Sequence, residues 1–455
     1  MKRHYHLIGI GGIGMSGIAQ LLLRQGFKVS GSDLKGNKIT DGLKGLGADI
    51  FIGHARGNIR GAELVVYSSA IKEDNPEITE AKNHGIPLIK RAEALARLMK
   101  EEDVITVTGS HGKTTTASLV AYLLLEAGFC PTVAVGGVLR NLDTNACLGD
   151  GKFFVAEADE SDGSFLYYRP KYSIITNIDR EHLDYYKDFS SEISAFGEFI
   201  NNTKEGGCIF ASGDDINLKG LLKDYKNKYV LFGLKDGSHI YPRNVLIKGL
   251  SSEFDCFYKD KFIDRFYLAL GGEHNISNAL AVIALGLELG IGIKFIKETL
   301  KDYRGTKRRL EIKFVDKDYL LIDDYAHHPT EIKATLDALR GFQFNRLIAV
   351  FQPHRYTRTK LLFEEFGRSF DLADYIIITD IYPAGERPQK GVSAGLIYDK
   401  VKECLPDKEV YLLPKKKIAA HILKIIKPHD VLITLGAGDI VKVCDELAEE
   451  FKRKN

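Results

Sequence analysis

A short apolar run that ends in a glycine-rich turn and opens into a helical stretch occurs twice near the start of the chain. This feature constrains the fold most strongly. The first run, residues 7–14, reads LIGIGGIG, and residues 15–25 then carry apolar side chains at helical spacing. The second, residues 104–116, reads VITVTGSHGKTTT and is followed by another such stretch that stops at Gly128. A strand that turns through glycine into a helix begins a crossover unit, so the pattern predicts an α/β protein with parallel sheets.

Two further regions complete the predicted architecture. Between residues 228 and 271, turn dipeptides such as Asp236-Gly237 and Lys259-Asp260 separate short mixed runs, which indicates small antiparallel strands. After residue 306, continuous apolar runs alternate with helix-length segments, as a parallel sheet covered on both faces requires. These runs are residues 320–322, 347–351, 375–378, 410–413 and 431–435. We therefore expect three α/β domains, over residues 1–101, 102–305 and 306–455, of which the central one adds a small antiparallel sheet and the last is Rossmann-like.

Composition and charge exclude several classes of protein. The 63 basic and 61 acidic residues leave a formal net charge of +2, so no overall field favours nucleic acid or an anionic membrane. The six cysteines are scattered, with no pair at metal-ligand spacing and no dense disulfide pattern. The apolar run after the N-terminus is too short for a signal sequence or a membrane span. We expect a cytoplasmic monomer or weak homodimer without nucleic-acid or membrane partners.

The first glycine turn predicts a Rossmann-like nucleotide site. Gly9, Gly11 and Gly14 fit the G-x-G-x-x-G pattern, which lets the backbone approach a pyrophosphate at a helix N-terminus. Asp33 ends the next predicted strand, where an acidic side chain can bind a ribose hydroxyl. NAD and a UDP-sugar both present a pyrophosphate and a ribose. The glycine turn alone is therefore also compatible with an NAD-dependent dehydrogenase.

The second glycine turn predicts a phosphate loop, and so a central domain like that of P-loop ATPases. Between a strand and a helix, its backbone N–H groups and the helix dipole can bind the phosphates of ATP. Lys113 would reach the β- and γ-phosphates, and Thr114 or Thr115 would ligate Mg²⁺. The loop departs from G-x-x-x-x-G-K-[ST], because the nearest glycine before Gly112 is Gly109. The predicted ATP-binding residues are Gly109, Ser110, His111, Gly112, Lys113, Thr114 and Thr115. A protein that binds nucleotides without chemistry is a second interpretation.

The run TGSHGKTTT resembles the ATP loop of the Mur ligases and the folylpolyglutamate synthetases. Four later segments, residues 157–162, 176–184, 272–278 and 324–331, resemble the Mur family in the same order along the chain. The resemblance implies an ADP-forming ligase of cell-wall precursor synthesis that joins a carboxylate to an amine. The run EADESDGSF, residues 157–165, is closer to the branch that acts on UDP-N-acetylmuramate and L-alanine than to the branch that recycles a muropeptide.

The resemblance also implies roles for individual residues. Glu157 and His182 would ligate two magnesium ions, the first together with Thr114, and Arg309 would reach the γ-phosphate. Asn275 and Asn278 would read adenine near His274, although spacing alone allows equally that Asn275 caps a helix. No lysine suitable for carbamylation is found near residues 196–199, and carbamylation is not predicted.

The remaining expected sites are grouped by ligand. In the third domain, Asp324 would contact ATP or position His327 or His328, and His328 is a candidate general base. The residues expected at the UDP-sugar are Gly11, Gly12, Ile13, Gly14, Asp33, Ser68 and Ser69. Those expected at the amino acid are Tyr325, His328, Arg355 and Arg358. The expected catalytic set is Lys113, Glu157, His182, Arg309 and His328.

Overall fold

The computed structural model describes residues 3–68, 70–100, 102–181 and 183–454. The chain has a three-domain α/β fold with three sheets. By internal contacts it divides into two compact units. The first comprises residues 1–243, 255–266 and 277–304, and the second comprises residues 244–254, 267–276 and 305–455. The N-terminal domain and most of the central domain thus share one unit, and the domain boundaries given above stay predictions.

The N-terminal sheet has five parallel strands in the order β3-β2-β1-β4-β5. Its strands are β1 (His4–Ile8), β2 (Lys28–Asp33), β3 (Asp49–Ile52), β4 (Leu64–Tyr67) and β5 (Leu88–Lys90). Its helices are α1 (Ile13–Arg24), α2 (Lys38–Gly45), α3 (Pro76–Asn83) and α4 (Arg91–Leu98). The central strand β1 ends at the first glycine turn, so that turn lies at the carboxyl edge of the sheet, where parallel α/β sheets bind ligands.

The central sheet has ten strands in the order β15-β14-β13-β12-β11-β10-β6-β9-β7-β8. Its strands are β6 (Asp103–Thr108), β7 (Thr132–Leu139), β8 (Thr144–Cys147), β9 (Phe153–Glu157), β10 (Tyr172–Ile175), β11 (Cys208–Ser212), β12 (Tyr229–Phe232), β13 (Ile240–Lys248), β14 (Ser251–Tyr258) and β15 (Lys261–Leu268). Its helices are α5 (Lys113–Glu126), α6 (Leu183–Tyr186), α7 (Phe189–Asn201), α8 (Ile216–Leu222), α9 (Glu273–Glu288) and α10 (Ile293–Asp302). The short strands expected after residue 228 therefore continue the main sheet.

The C-terminal sheet has six strands in the order β16-β17-β21-β18-β19-β20. Its strands are β16 (Glu311–Val315), β17 (Tyr319–Asp324), β18 (Arg346–Phe351), β19 (Tyr375–Ile378), β20 (Glu409–Leu412) and β21 (Asp430–Leu435). Its helices are α11 (Pro329–Leu339), α12 (Tyr356–Phe366), α13 (Ala394–Cys404), α14 (Lys415–Ile425) and α15 (Val441–Lys454). Only β16 runs antiparallel to its neighbour. Each predicted apolar run became a strand of this sheet.

Helix α1 is attached directly to strand β8 of the central sheet. The Asn145 side chain donates a hydrogen bond from Nδ2 to the Ile13 carbonyl, with an N···O distance of 2.9 Å. It also accepts one from the Gln20 amide at 3.3 Å. A Cβ atom at Gly17 would lie 3.4 Å from the Asn145 Nδ2 atom, so the helix packs closely against β8 at this position. The first glycine turn is thereby held to the central sheet. Within the described residues, no helix is long and apolar enough to cross a membrane.

A buried polar network stabilises the N-terminal domain. The Glu77 carboxylate is fully buried and accepts hydrogen bonds from the Ser32 hydroxyl and the Asn58 amide, both at 2.6 Å. The Nε2 atom of His6, also fully buried, lies 3.5 Å from Glu77 Oε2. Burial opposes ionisation of Glu77, but the hydrogen bonds from His6, Ser32 and Asn58 outweigh it and lower its pKa.

We predict that Glu77→Gln destabilises the protein by about 1.5–3 kcal/mol at pH 7, because the charged acceptor of a buried network is lost. Since the folded-state pKa of Glu77 lies below the usual value of 4.5, its stabilisation is present at neutral pH and is lost as the pH falls through the folded-state pKa. Urea denaturation at pH 7 and in acid measures both effects. The exposed Glu73→Gln is the matched control, and equal losses in the two variants at pH 7 would contradict the prediction.

Candidate active site

The phosphate loop between β6 and α5 depends on two glycines with positive φ. Gly109 has φ of +120°, and a Cβ atom there would lie 2.3 Å from the Thr176 hydroxyl and 2.7 Å from the Asn177 carbonyl. Gly112 has φ of +85°, and its Cβ atom would lie 2.8 Å from Asn278 Oδ1. No larger residue fits at either position without displacing its neighbours. Close neighbours therefore explain why glycine is required at both positions of the predicted turn. The sequence pattern alone did not identify these neighbours.

The segment after β10 holds the same loop from one side. Ser110 N–H donates to the Asn177 carbonyl at 3.1 Å, and His111 N–H donates to the Asn177 side-chain oxygen at 2.9 Å. The Thr176 hydroxyl donates to the His111 carbonyl at 2.6 Å. The His111 ring lies with Nε2 2.9 Å from Asp179 Oδ2. The loop is thus held by Thr176, Asn177 and Asp179. These residues belong to a segment that resembles the Mur family, but they were not among the predicted site residues.

Lys113 is the half-buried cation of the loop. Its ammonium group donates to Glu160 Oε1 at 2.7 Å, to the Gly109 carbonyl at 2.6 Å and to the Ser110 carbonyl at 3.1 Å. Burial opposes the charge, but the carboxylates of Glu160 and Asp159 outweigh burial and raise the Lys113 pKa. Lys113 therefore stays protonated. Glu160, whose side chain is fully buried, was not among the predicted site residues, although it lies three positions after Glu157 in the same acidic run.

Glu157 and Thr114, the two residues expected at a magnesium ion, lie together beside the loop. Strand β9 pairs with β6 so that Glu157 is next to Val107, just before the loop. The Thr114 hydroxyl donates to Glu157 Oε2 at 3.1 Å, and the Gly136 N–H donates to Oε1 at 2.6 Å. Thr115 is half-buried, and its carbonyl accepts a hydrogen bond from Tyr303 at 3.4 Å. The pairing of Thr114 with Glu157 brings two hard oxygen donors together, which is the donor type that Mg²⁺ prefers.

The structure corrects one interpretation of the predicted adenine residues. Helix α9 begins at Glu273, so Asn275 lies inside the helix and does not cap it. Its side-chain amide instead donates to the Gly271 carbonyl at 2.7 Å. Burial, with a smaller contribution from Arg309, lowers the His274 pKa to about 4, which keeps this histidine neutral. Asn278 lies against the phosphate loop at Gly112. Adenine binding by these residues stays a prediction.

Asp324 organises the loop that carries Arg309. Its carboxylate is buried and accepts N–H groups from Leu310 and Ala326, each at 2.7 Å. Burial outweighs the attraction of Arg309 and raises the Asp324 pKa to about 6. The Arg309 guanidinium lies 5.3 Å from the centre of the Tyr325 ring and 3.6 Å from Glu331 Oε1. Asp324 thus orders the backbone beside Arg309, while the expected roles of Asp324 in contacting ATP or positioning His327 or His328 stay predictions.

His328 is the N-cap residue of α11. Its Nδ1 atom accepts the Thr330 N–H at 3.4 Å, and its own N–H donates to Glu331 Oε2 at 3.3 Å. A histidine that accepts through Nδ1 carries its proton on Nε2 when neutral. In this tautomer the ring presents a donor at Nε2, so the geometry gives no support to His328 as a general base.

The two predicted arginines after β18 differ in their surroundings. Arg355 precedes α12 with φ of +70° and ψ of +143°, a backbone conformation that non-glycine residues rarely adopt, and its side chain is exposed. Its N–H donates to the Tyr382 carbonyl at 2.9 Å. Arg358 lies in the first turn of α12 and is half-buried. Burial, assisted by His327 and both arginines, lowers the pKa of His354 to about 2. Backbone strain at Arg355 marks it as a functional candidate.

Two predicted residues, Ser69 and His182, lie outside the described residues. At the first glycine turn, the Gly11 N–H donates to Asp33 Oδ2 at 2.9 Å, and Asn37 donates to the Gly11 carbonyl at 3.3 Å. Asp33 therefore anchors the turn through one carboxylate oxygen. Gly12 and Ile13 form the junction between the turn and α1, and Ser68 directly follows β4.

A phosphate loop whose lysine donates to the buried Glu160 carboxylate, and whose threonine donates to the half-buried Glu157 carboxylate, is the arrangement expected of an ATP-using enzyme. A second glycine turn lies in the same compact unit. The sequence matches the Mur ligase family, catalytic domain, over residues 4–103. It matches the Mur ligase middle domain over residues 107–286 and the Mur ligase, glutamate ligase domain, over residues 308–438.

Full-length relatives agree with these matches. A UDP-N-acetylmuramate–L-alanine ligase of Geotalea uraniireducens is 45% identical over 447 residues, covering 98% of each chain. The enzyme of that name from Aquifex aeolicus is 45% identical over 449 residues, again covering 98% of each chain. Among solved structures, a UDP-N-acetylmuramate–alanine ligase of Thermotoga maritima has a TM-score of 0.86 at 30% identity and covers 99% of this chain and 100% of its own. A murein peptide ligase of Psychrobacter arcticus has a TM-score of 0.74 at 25% identity, covering 98% of each chain.

The chain belongs to the Mur ligase family. It is an ATP-dependent, ADP-forming ligase of peptidoglycan synthesis, as the resemblance of its motifs implied. The dehydrogenase and the non-catalytic interpretation are thereby set aside.

We predict that Glu160→Gln raises the KM for ATP about 10-fold, equivalent to about 1.4 kcal/mol, because Lys113 loses the carboxylate that positions it. Steady-state ADP formation measures this. Glu126→Gln, an exposed change at the far end of α5, is the matched control. An unchanged KM in Glu160→Gln would mean that the loop carbonyls alone position Lys113.

A second prediction compares Arg355→Gly with Arg355→Ala. Both remove the guanidinium and should raise the KM for the amino acid equally, but only glycine relieves the positive φ. We expect Arg355→Gly to be more stable than Arg355→Ala by about 1 kcal/mol, within the range of such backbone strain. Thermal unfolding of the two variants tests this, and equal stability would contradict the inferred strain.

Proposed function

We propose that this chain joins L-alanine to the lactyl carboxylate of UDP-N-acetylmuramate through an acyl phosphate. ATP is consumed, and the products are ADP, phosphate and UDP-N-acetylmuramoyl-L-alanine. The observation that carries this assignment is the 45% identity to UDP-N-acetylmuramate–L-alanine ligases over 98% of the chain. The higher TM-score to the alanine-adding enzyme, 0.86 against 0.74, favours it over the muropeptide-recycling reaction.

The chemistry requires cations, since an anionic carboxylate must attack an anionic γ-phosphate. Lys113 is the protonated group at the loop that would stabilise the transferred phosphate. Thr114 and Glu157 fit a magnesium ion by their oxygen donors and their 3.1 Å separation. Bound there, Mg²⁺ would neutralise charge on the phosphates. A second ion at His182 rests on the family resemblance.

The amino acid is assigned to the C-terminal domain. Arg355 and Arg358 would bind its carboxylate, because guanidinium donors match a carboxylate in pairs. Arg309 would contact the γ-phosphate, as the family resemblance implies, and Asp324 fixes the backbone next to Arg309. His328 would donate a hydrogen bond from Nε2, and we propose that it orients the amino acid.

The UDP-sugar is assigned to the first glycine turn, with Gly11, Gly12, Ile13 and Gly14 at the pyrophosphate. Asp33 would bind ribose through Oδ1, since Oδ2 accepts the Gly11 N–H. We also infer a cytoplasmic monomer or weak homodimer that has no nucleic-acid or membrane partner. The six free cysteines support a reducing compartment.

We predict that phosphate release requires both UDP-N-acetylmuramate and L-alanine. A coupled ADP assay with L-alanine, glycine, L-serine and D-alanine as acceptors measures this. Lys113→Ala should lower kcat by about 10²–10³-fold, by analogy with removal of one charge-stabilising donor. Lys223→Ala, at an exposed position, is the control. Turnover without an amino acid, or with folded Lys113→Ala at the wild-type rate, would contradict the proposal.

A further inference from the structure

Arg355 and Arg358, the two arginines expected at the amino acid, lie at the start of helix α12, which has no cap from its own segment. Arg355 is the N-cap residue, and its side chain makes no capping hydrogen bond. The first turn of the helix has no acidic residue. The first N–H groups of a helix have no partners within the helix, and they favour an adjacent negative charge. A group outside α12 therefore has to provide the missing acceptor.

Glu386, in the loop after β19, provides that acceptor. Its Oε2 atom accepts the Thr357 N–H at 3.0 Å, and its Oε1 atom accepts the Thr357 hydroxyl at 2.5 Å. Thr357 is the second residue of α12 and lies between the two arginines in the chain. Hydrogen bonds to a carboxylate are stronger than those between neutral groups, and a negative charge is favourable at this end of a helix. The Glu386 carboxylate thus caps α12 from 29 positions further along the chain.

The same loop also holds the backbone around Arg355. The Arg355 N–H donates to the Tyr382 carbonyl at 2.9 Å, and the Tyr382 N–H donates to the Pro353 carbonyl at 2.8 Å. The Tyr382 ring stacks on the His354 ring, with the ring centres 5.7 Å apart and an interplanar angle of 10°. Arg355 therefore lies between a backbone bond on its own N–H and the cap on Thr357.

A tight turn connects Tyr382 to Glu386. The Glu386 N–H donates to the Pro383 carbonyl at 3.0 Å, and Gly385 within the turn has φ of +86°. The cap on α12 and the backbone bonds near its start therefore come from one continuous segment, residues 382–386.

Arg355 needs these contacts because its backbone is strained. Its φ of +70° and ψ of +143° lie outside the regions that non-glycine residues ordinarily adopt, and such a conformation persists only where the surroundings hold it. The Arg355 side chain is exposed, so its own packing does not hold it. Among the described residues, the Glu386 carboxylate bonds to Thr357 and to neither guanidinium. Glu386 therefore acts on the two arginines through the backbone of α12.

We propose that Glu386 is a positioning residue for the amino acid, because its cap on α12 fixes the backbone from which Arg355 and Arg358 extend. This role rests on the proposed function, which assigns the amino acid carboxylate to these arginines. Guanidinium groups bind a carboxylate best in a defined geometry, and small displacements of a substrate-binding group are costly. Loss of the cap therefore weakens binding of the amino acid and leaves the ATP site unaffected.

The test measures the KM for each substrate in turn by steady-state ADP formation. Glu386→Gln keeps the size of the side chain but removes its charge and one acceptor. It should raise the KM for L-alanine about 3- to 30-fold, the range that loss of a helix cap allows. The kcat and the KM values for ATP and UDP-N-acetylmuramate should stay at their wild-type values. Glu365→Gln, the same change at an exposed position near the other end of α12, is the matched control and should alter none of these values.

Two further variants separate positioning from folding. Thr357→Val keeps the shape of the side chain and the backbone N–H but loses the hydroxyl bond, so the KM for L-alanine should rise by a smaller factor than in Glu386→Gln. In a background with Arg355→Ala and Arg358→Ala, Glu386→Gln should change kcat/KM for L-alanine by less than about 2-fold, because no guanidinium remains to be positioned. A purely structural role would lower kcat/KM by the same factor in both backgrounds.

Three results would overturn this role of Glu386. They are an unchanged KM for L-alanine in Glu386→Gln, an equal rise in the KM for ATP, and an equal loss in the background without the two arginines. The proposed function fails separately, if wild type does not ligate L-alanine. If wild type ligates another amino acid of the panel, the KM for that acceptor is the readout, and if it ligates none, both proposals fail.

Discussion

The pairing of Lys113 with Glu160 is the interaction on which the ATP site depends. An ammonium group with little exposure is costly unless carboxylates and carbonyls surround it, and Glu160 and the loop carbonyls meet that requirement at 2.6–3.1 Å. The same contacts hold Lys113 beside the backbone that would carry the phosphates. Both glycines of the loop are needed because the 176–177 segment and Asn278 approach the backbone so closely. Close packing and hydrogen bonds therefore define the conformation of the loop.

The N-terminal domain and most of the central domain lie in one compact unit, and helix α1 contacts the central sheet directly. Asn145 holds the helix at Ile13, Gly17 allows close packing, and Arg91 joins the helix to Asp159 in the acidic run after β9. A ligase that passes phosphate from ATP to a sugar-linked carboxylate needs the two substrates in a defined relation. In this chain these contacts join α1 to the central sheet, and α4 to the acidic run after β9, within the first compact unit. In the C-terminal domain, Asp324 accepts a hydrogen bond from the Leu310 N–H and so fixes the backbone beside Arg309.

Much of the architecture followed from the sequence alone. Strands β1, β2 and β6 and strands β17 to β21 of the third sheet were predicted, because continuous apolar runs with glycine turns have few other solutions. Strand β16 of the third sheet was not predicted. Strands β3 and β5 were not predicted. β3 is four residues long and mostly exposed, and β5 is three residues long, so neither has a clear hydrophobic period. The union of the N-terminal domain with most of the central domain in one compact unit involves residues such as Asn145, which belong to no recognisable motif.

The sequence by itself determined the class of chemistry. Lysine and threonine after a glycine turn, followed by an acidic run, specify phosphate and metal binding by their functional groups, and the order of motifs along the chain specified the ligase family. Tertiary structure decided which groups work together. Lys113 and Glu160 are separated by 47 positions, and Arg91 and Asp159 by 68. Such pairs form only when parallel strands bring distant loops to one edge of a sheet. A local sequence pattern cannot predict them, because the two residues are far apart in the sequence.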